Sequence, residues 1–307
     1  MARILSRQQP WLATSLLLLW TVISGRAGDR AEYTYRSHAT EVRLTFSAVD
    51  QNDHGVATLE ANDFVVIDKD FIVRNFQSFT RSDWTRLEIA ILVDSSESVT
   101  PHFSEEIADL LQTIEQTAGV PDENLAIISF RGHQPALICS EDCRASHAAT
   151  QLAAARPSGI TPLFDTVAFA SDFLAQHSDA KTQKVLILFS DGQDNVSRNS
   201  LRDAVDDAIH NEVQIYSIDL GSAFNSASGA STLFHLANAT GGRYFAPNHN
   251  VTRAVNAILE GFRASYTVSY SLPSHSMGFH QIHILPTRNR NLQFRSRSGY
   301  YYPDYTR

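Results

Sequence analysis

From Glu41 to Ala48 apolar and polar side chains alternate, with Val42, Leu44, Phe46 and Ala48 on one face and Arg43, Thr45 and Ser47 on the other. A period of two with a single apolar face predicts a half-buried strand. The cluster Asp50-Gln51-Asn52-Asp53-His54-Gly55 ends it in a turn. Residues 63–68 and 71–73 read as two more short strands around the polar turn Asp68-Lys69-Asp70. Residues 33–82 are therefore expected to form an N-terminal β segment, too short to bury a core alone.

At Leu87 the pattern changes. Ile89-Ala90-Ile91-Leu92-Val93 is an unbroken apolar run rich in β-branched residues, as expected of a strand buried on both faces of a parallel sheet. Residues 125–130, 184–189 and 213–218 repeat this character, and 243–246 forms a short last strand. Residues 134–139 suit an edge strand, where Pro135 is tolerated. Helical spacing appears in 103–118, 163–176, 200–211, 232–239 and 251–262. Strands alternating with amphipathic helices over 87–263 predict βαβ units, hence an α/β domain with a doubly wound, mostly parallel sheet. After Ser265 the helices stop, and 266–270, 281–285 and 292–297 return to a period of two. The two β segments, 33–82 and 265–303, are each incomplete. They are expected to pack together as a small sandwich-like domain into which the α/β domain is inserted. Tyr300-Tyr301-Tyr302 then belongs to strand packing at the domain seam.

Composition adds bounds. The chain has 307 residues, beyond the roughly 100–200 usual for one domain, which suits one larger and one smaller unit. A net charge of −8 disfavours a nucleic-acid partner, which would select a basic face. At the N-terminus Arg3 and Arg7 precede the apolar stretch Trp11 to Ile23, and the small residues Ser24-Gly25-Arg26-Ala27-Gly28 follow. That order predicts a signal peptide over 1–27 and a secreted or periplasmic protein, with membrane contact only where the signal stays uncleaved. Cys139 and Cys143 are the two cysteines. In an oxidising compartment they would form a local disulfide, with free thiols or zinc as the alternatives.

The chemistry gathers where apolar strands end. After Val93 come Asp94, Ser96 and Ser98, three oxygen-bearing side chains at alternate positions. Ligands of open α/β sheets bind at the carboxyl ends of strands, and hydroxyls with a carboxylate suit a hard divalent cation. Thr161 precedes Pro162 at a predicted helix start, and Asp191-Gly192 follows another buried strand. Each piece also has a plainer reading: Ser96, Ser98 and Thr161 as helix caps, Asp191-Gly192 as a turn.

Taken together, Asp94-x-Ser96-x-Ser98, Thr161 and Asp191 resemble the metal-ion-dependent adhesion site of von Willebrand factor A domains. The segment Ala239-Thr240-Gly241-Gly242-Arg243-Tyr244-Phe245 is similar to the family's approach to its last strand. With the flanks, including residues 62–66 and 297–301, the chain resembles the exported bacterial von Willebrand A-related proteins found notably in acidobacteria. The resemblance implies Mg²⁺ or Mn²⁺ on those five residues, and a protein partner that presents Asp or Glu to it. It implies a binding module, not an enzyme. Glu97 stands where many relatives carry Gly; turned inward it would make the cation more neutral and weaken recognition of an acidic ligand. Two rivals remain: a metal-dependent hydrolase-like enzyme with Glu97 as base, and a structural component whose metal only stabilises three loops. No P-loop, G-x-G-x-x-G, G-x-S-x-G or H-E-x-x-H pattern occurs.

Overall fold

The computed structural model describes residues 41–303 apart from 53, 82–85, 100–106, 110–111, 113–124, 141–142, 144–147, 149, 153–156, 180–181, 222–226, 248–249 and 289–290. The expected signal segment and most of the helix expected over 103–118 lie outside the described residues.

Strands β1 (Glu41–Val49), β2 (Phe64–Asp68), β3 (Phe71–Val73) and β4 (Ser78–Arg81) precede the α/β region. There the chain forms β5 (Leu87–Asp94), β6 (Leu125–Arg131), β7 (Gln134–Cys139), helix α1 (Leu163–His177), β8 (Gln183–Ser190), α2 (Leu201–His210), β9 (Val213–Asp219), α3 (Ala227–Thr240), β10 (Tyr244–Phe245) and α4 (Val251–Arg263). The strands lie in the order β10-β9-β8-β5-β6-β7. All neighbours are parallel except β7, which pairs antiparallel with β6 at the edge.

Both faces of this sheet are covered, which is why its strands are apolar without alternation. Ile89, Ile91 and Val93 face a cluster that includes Val255, Ile258 and Phe262 of α4. Ala90 and Leu92 face the opposite cluster, with Val167 and Leu174 of α1, Val205 of α2 and Leu233 of α3. From β5 the chain first adds β6 on one side and later places β8 on the other. The carboxyl end of β5 is thus a topological switch point, where an open α/β sheet leaves a crevice for a ligand.

After α4 come β11 (Ser265–Ser271), β12 (Gly278–Pro286), β13 (Gln293–Ser296) and β14 (Gly299–Tyr302). They interleave with the N-terminal strands in two antiparallel sheets, ordered β13-β1-β11-β4 and β14-β12-β2-β3. Between them Leu44, Phe46, Phe64, Val66, Val268 and Ile282 form a core of their own. Phe46 meets Phe64 edge-on with ring centroids 5.1 Å apart.

Candidate metal centre

Asp94 is the last residue of β5 and fully buried. Its Oδ1 accepts from the Ser96 amide at 2.9 Å, closing a tight turn, and its Oδ2 accepts from the Ser190 hydroxyl at 2.7 Å. The turn sets the Ser96 and Ser98 hydroxyls 3.1 Å apart. Ser96 is buried, whereas Glu97 and Ser98 are exposed. Glu97 is held through its backbone, its amide donating to the Gly159 carbonyl at 3.1 Å. Ser95 turns the other way and hydrogen-bonds Ser129 of β6.

Thr161 is buried just ahead of α1. The helix begins at Leu163 with Pro162 as its cap, so Thr161, the residue expected to cap it, lies one position outside and no side-chain cap bond is made there. Donors of the first turn are met instead from the loop after β8. The Phe164 amide donates to Asp194 Oδ1 at 3.3 Å, and the Asp165 amide to Ser197 Oγ at 3.1 Å. The Asn195 amide also donates to the Thr161 carbonyl at 2.9 Å. Two of the three predicted loops are thereby knitted together, and the amide of Ser158, donating to Ser95 O at 2.9 Å, ties in the third.

Asp191 follows β8 and is 4% exposed. Its Oδ1 accepts from the Gln193 amide at 3.1 Å, while its Oδ2 is buried without a hydrogen-bond partner. Gly192 makes the turn possible. Its φ is +76°, and a Cβ there would lie 2.2 Å from the Gly229 carbonyl oxygen. Burial pushes the Asp94 carboxyl up to about 6, partly offset by its hydrogen bonds to Ser96 and Ser190, with the Asp191 charge adding to the rise. Such a site favours whatever neutralises it, because an unpaired buried carboxylate oxygen is costly. Among the described residues no group of three or more His, Cys, Asp or Glu is placed to hold a metal. A cation between Asp94 and Asp191 would therefore draw its other ligands from hydroxyls, and those of Ser96, Ser98 and Thr161 are among the ones these loops carry. The donor set is all oxygen, which fits a hard divalent ion.

Two features escaped the sequence reading. Ser190 holds the Asp94 carboxylate, and Asp219, at the end of β9, adds a third carboxylate to the same edge. A serine in a buried strand and an aspartate before Leu-Gly carry no signal of their own; only the register of the parallel strands brings them to the site. Cys139 and Cys143 are joined in a disulfide, with Cα atoms 5.3 Å apart, at the outer end of β7.

A second buried polar cluster lies inside the sandwich. His280 Nδ1 is 3.2 Å from Asp68 Oδ1, and Nε2 is 3.3 Å from Ser276 Oγ. This Asp-His-Ser order invites comparison with a nucleophilic triad. The closer partner of Nε2 is the Ser276 carbonyl oxygen, at 2.7 Å. A carbonyl only accepts, so Nε2 carries its hydrogen and has no lone pair for a hydroxyl. Tyr270 and Tyr300 donate to Asp68 Oδ2 at 2.9 and 2.7 Å. The cluster cross-ties β2, β11, β12 and β14 and is not a catalytic arrangement.

A family model described as the von Willebrand factor type A domain matches residues 88–255. No curated protein matches the chain. Among solved structures, it is similar to proximal thread matrix protein 1 of the mussel byssus with a zinc-occupied MIDAS motif, at 15% identity and a TM-score of 0.47, covering 64% of this chain and 50% of that one. It is also similar to the manganese-loaded TRAP protein of Plasmodium vivax, at 15% identity and a TM-score of 0.45, covering 76% and 97% of the two chains. A third similar structure is an aerotolerance-related membrane protein of Bacteroides fragilis, at 15% identity and a TM-score of 0.44, covering 57% and 98%.

Proposed function

Since the chain belongs to the von Willebrand factor type A domain family, we propose that it is a protein-binding module, in which Asp94, Ser96, Ser98, Thr161 and Asp191 hold Mg²⁺ or Mn²⁺. Bound there, the cation supplies an open coordination position to an Asp or Glu carboxylate of a protein partner. The observation that carries this reading is the buried, partnerless Oδ2 of Asp191 beside the buried carboxylate of Asp94. Asp94 and Asp191 provide charge, the hydroxyls provide neutral ligands, and Ser190 and the Ser96 amide fix the direction of the Asp94 oxygens. Glu97, exposed at the rim, adds a negative charge that an acidic partner must approach.

A hydrolase would need a general base beside the cation. Glu97 is exposed, and Asp219 has both oxygens occupied by donors from Gly221 and Tyr244. Each has a place in the structure that calls for no catalytic role, and the binding role is preferred to an enzymatic one. The N-terminal pattern supports export to the periplasm or the exterior. Among the described residues no helix is long and apolar enough to cross a membrane. Segments 33–82 and 265–303 are read as one small domain carrying the α/β module of 87–263.

Isothermal titration of Mg²⁺ and of Mn²⁺ into the purified chain tests the reading. The wild type is expected to take one equivalent, and Asp94→Ala none. Absence of a binding isotherm for the wild type, or equal binding by both proteins, would remove it. A purely structural metal would instead raise thermal stability while leaving capture of partners from the native extract indifferent to a chelator.

A further inference from the structure

Asp219 belongs to no part of the five-residue motif, yet the sheet delivers it to the same place. In the β8–β9 register Ser190 pairs with Asp219, so Asp219 lies one strand across from Asp191. The Leu220 amide donates to the Ser190 carbonyl at 3.0 Å, drawing the two strand ends together. Gly221 lies close to both aspartates: a Cβ there would be 2.8 Å from Asp219 Oδ1 and 3.8 Å from the Asp191 Cβ. Asp219 is 7% exposed. Its Oδ1 accepts from the Gly221 amide and its Oδ2 from the Tyr244 hydroxyl, both at 2.7 Å. Burial raises its carboxyl above the ordinary value, and these two donors offset part of that rise by stabilising the charged form and fixing its direction. The adjacent Asp191 points the other way in this respect, having a buried oxygen with no donor at all.

We propose that Asp219 sets the charge of the metal site from outside the coordination shell, strengthening the hold on the cation and weakening the acceptance of an acidic partner. The proposal rests on the metal-binding reading given above. Its physical basis is that a fixed carboxylate behind Asp191 adds attraction for a dication in a poorly screened, buried setting. The same charge cancels part of the residual positive charge that an incoming carboxylate would feel. The two effects have opposite sign, which separates a charge role from a structural one.

The experiment uses the full chain, with Asp219→Asn and Tyr244→Phe as variants. Mg²⁺ affinity is read by calorimetry. Acetate serves as the carboxylate probe and is titrated into Mn²⁺-loaded protein, its binding followed by the loss of water-proton relaxation as coordinated water is displaced. Asp219→Asn is expected to bind Mg²⁺ about tenfold more weakly and acetate severalfold more tightly, the scale of one nearby charge at an intermediate dielectric. Tyr244→Phe keeps the charge and is expected to stay within about twofold of wild type in Mg²⁺ affinity, being a lost hydrogen bond remote from the ion. Unchanged Mg²⁺ affinity in Asp219→Asn, or a parallel loss of both Mg²⁺ and acetate, overturns the proposal. So does an equal loss of Mg²⁺ affinity in Tyr244→Phe, which would place the effect in the hydrogen-bonded scaffold. If wild type bound Mg²⁺ normally, these failures would leave the protein-binding reading intact. A wild type that bound no Mg²⁺ would remove both.

Discussion

Asp94 is a carboxylate placed where a carboxylate is uncomfortable. In the cation-free protein burial raises its carboxyl to about 6, whereas in the unfolded chain it titrates near the ordinary ~3.9. The folded state therefore takes up a proton first as pH falls, and this group's penalty is full above about pH 6 and gone below about pH 4. With a chelator present, lowering the pH from 7 to 5 is expected to add about 1 kcal/mol of stability from this residue. Asp94→Asn should lack that increment, which thermal unfolding of the two proteins at both pH values measures. If Mg²⁺ binds as proposed, the dependence is expected to reverse, because the proton and the cation would compete for one carboxylate. Apparent Mg²⁺ affinity is expected to fall toward tenfold per unit below pH 6. Asp94, Ser96, Ser98, Thr161 and Asp191 stood out as candidates in the sequence because together they resemble a family motif. Ser190 and Asp219 were not, since their contribution arises only when the β5–β8 and β8–β9 registers bring strand ends side by side.

The elements that present these residues differ in what they tolerate. The loop from Asp191 to Ser200 turns at Gly192, donates the Asn195 amide to Thr161, caps α1 through Asp194 and Ser197, and ends in the capping box of Ser200 and Asp203 at the start of α2. Gly192→Ala must place a Cβ at positive φ against the Gly229 carbonyl. It is expected to cost several kcal/mol, by the usual scale of strain and overpacking, and to weaken Mg²⁺ binding with it. Ser200→Ala removes a cap at the far end of the same loop. It should cost only about 1 kcal/mol and leave Mg²⁺ affinity unchanged, as paired melting and titration curves would show. Long apolar strands and amphipathic helices were readable at nearly their observed limits. Two kinds of element were not. The strand β4, Ser78–Arg81, buries little of its own surface and exists because Val268 and its neighbours on β11 pair with it. Likewise α3 starts at Ala227, five residues before its apolar spacing begins, through a run of small residues with no period to detect. Pairing partners and backbone continuity decide such segments, and side-chain pattern does not.

Across the whole molecule the two ends of the chain depend on each other. Strand β1 lies between β11 and β13, while β2 lies between β12 and β3. A period of two marked β1 and β12 as strands, and a short apolar run before a polar turn marked β2, but neither signal carried information on which sheet each would join; their separate incompleteness was the only clue. The sandwich meets the α/β region at the amino edge of the sheet, away from the candidate metal centre. There Arg297 forms an ion pair with Glu212 at 2.9 Å and donates to the Arg43 carbonyl at 2.8 Å, and the Ser298 amide donates to Ala239 O at 2.8 Å. Gly241 admits this approach, since a Cβ would stand 2.5 Å from the Ser296 carbonyl carbon. Arg297→Ala is therefore expected to lower stability by about 1–3 kcal/mol, the scale of a partly buried charged hydrogen bond, without changing Mg²⁺ affinity. Removal of everything after Ala264 is a harsher test of the same architecture. It strips β1 of both neighbours and leaves β2 only the three-residue β3, exposing Leu44, Phe46, Phe64 and Val66. Such a chain is expected to bind a hydrophobic dye and aggregate, whereas residues 86–264 alone stay soluble and titrate Mg²⁺ as the full chain does. If the truncated chain that keeps residues 41–81 proved as well behaved as 86–264, the N-terminal strands would have a stability of their own. The interleaving of the two chain ends would then be a packing convenience and not the condition for the sandwich to fold.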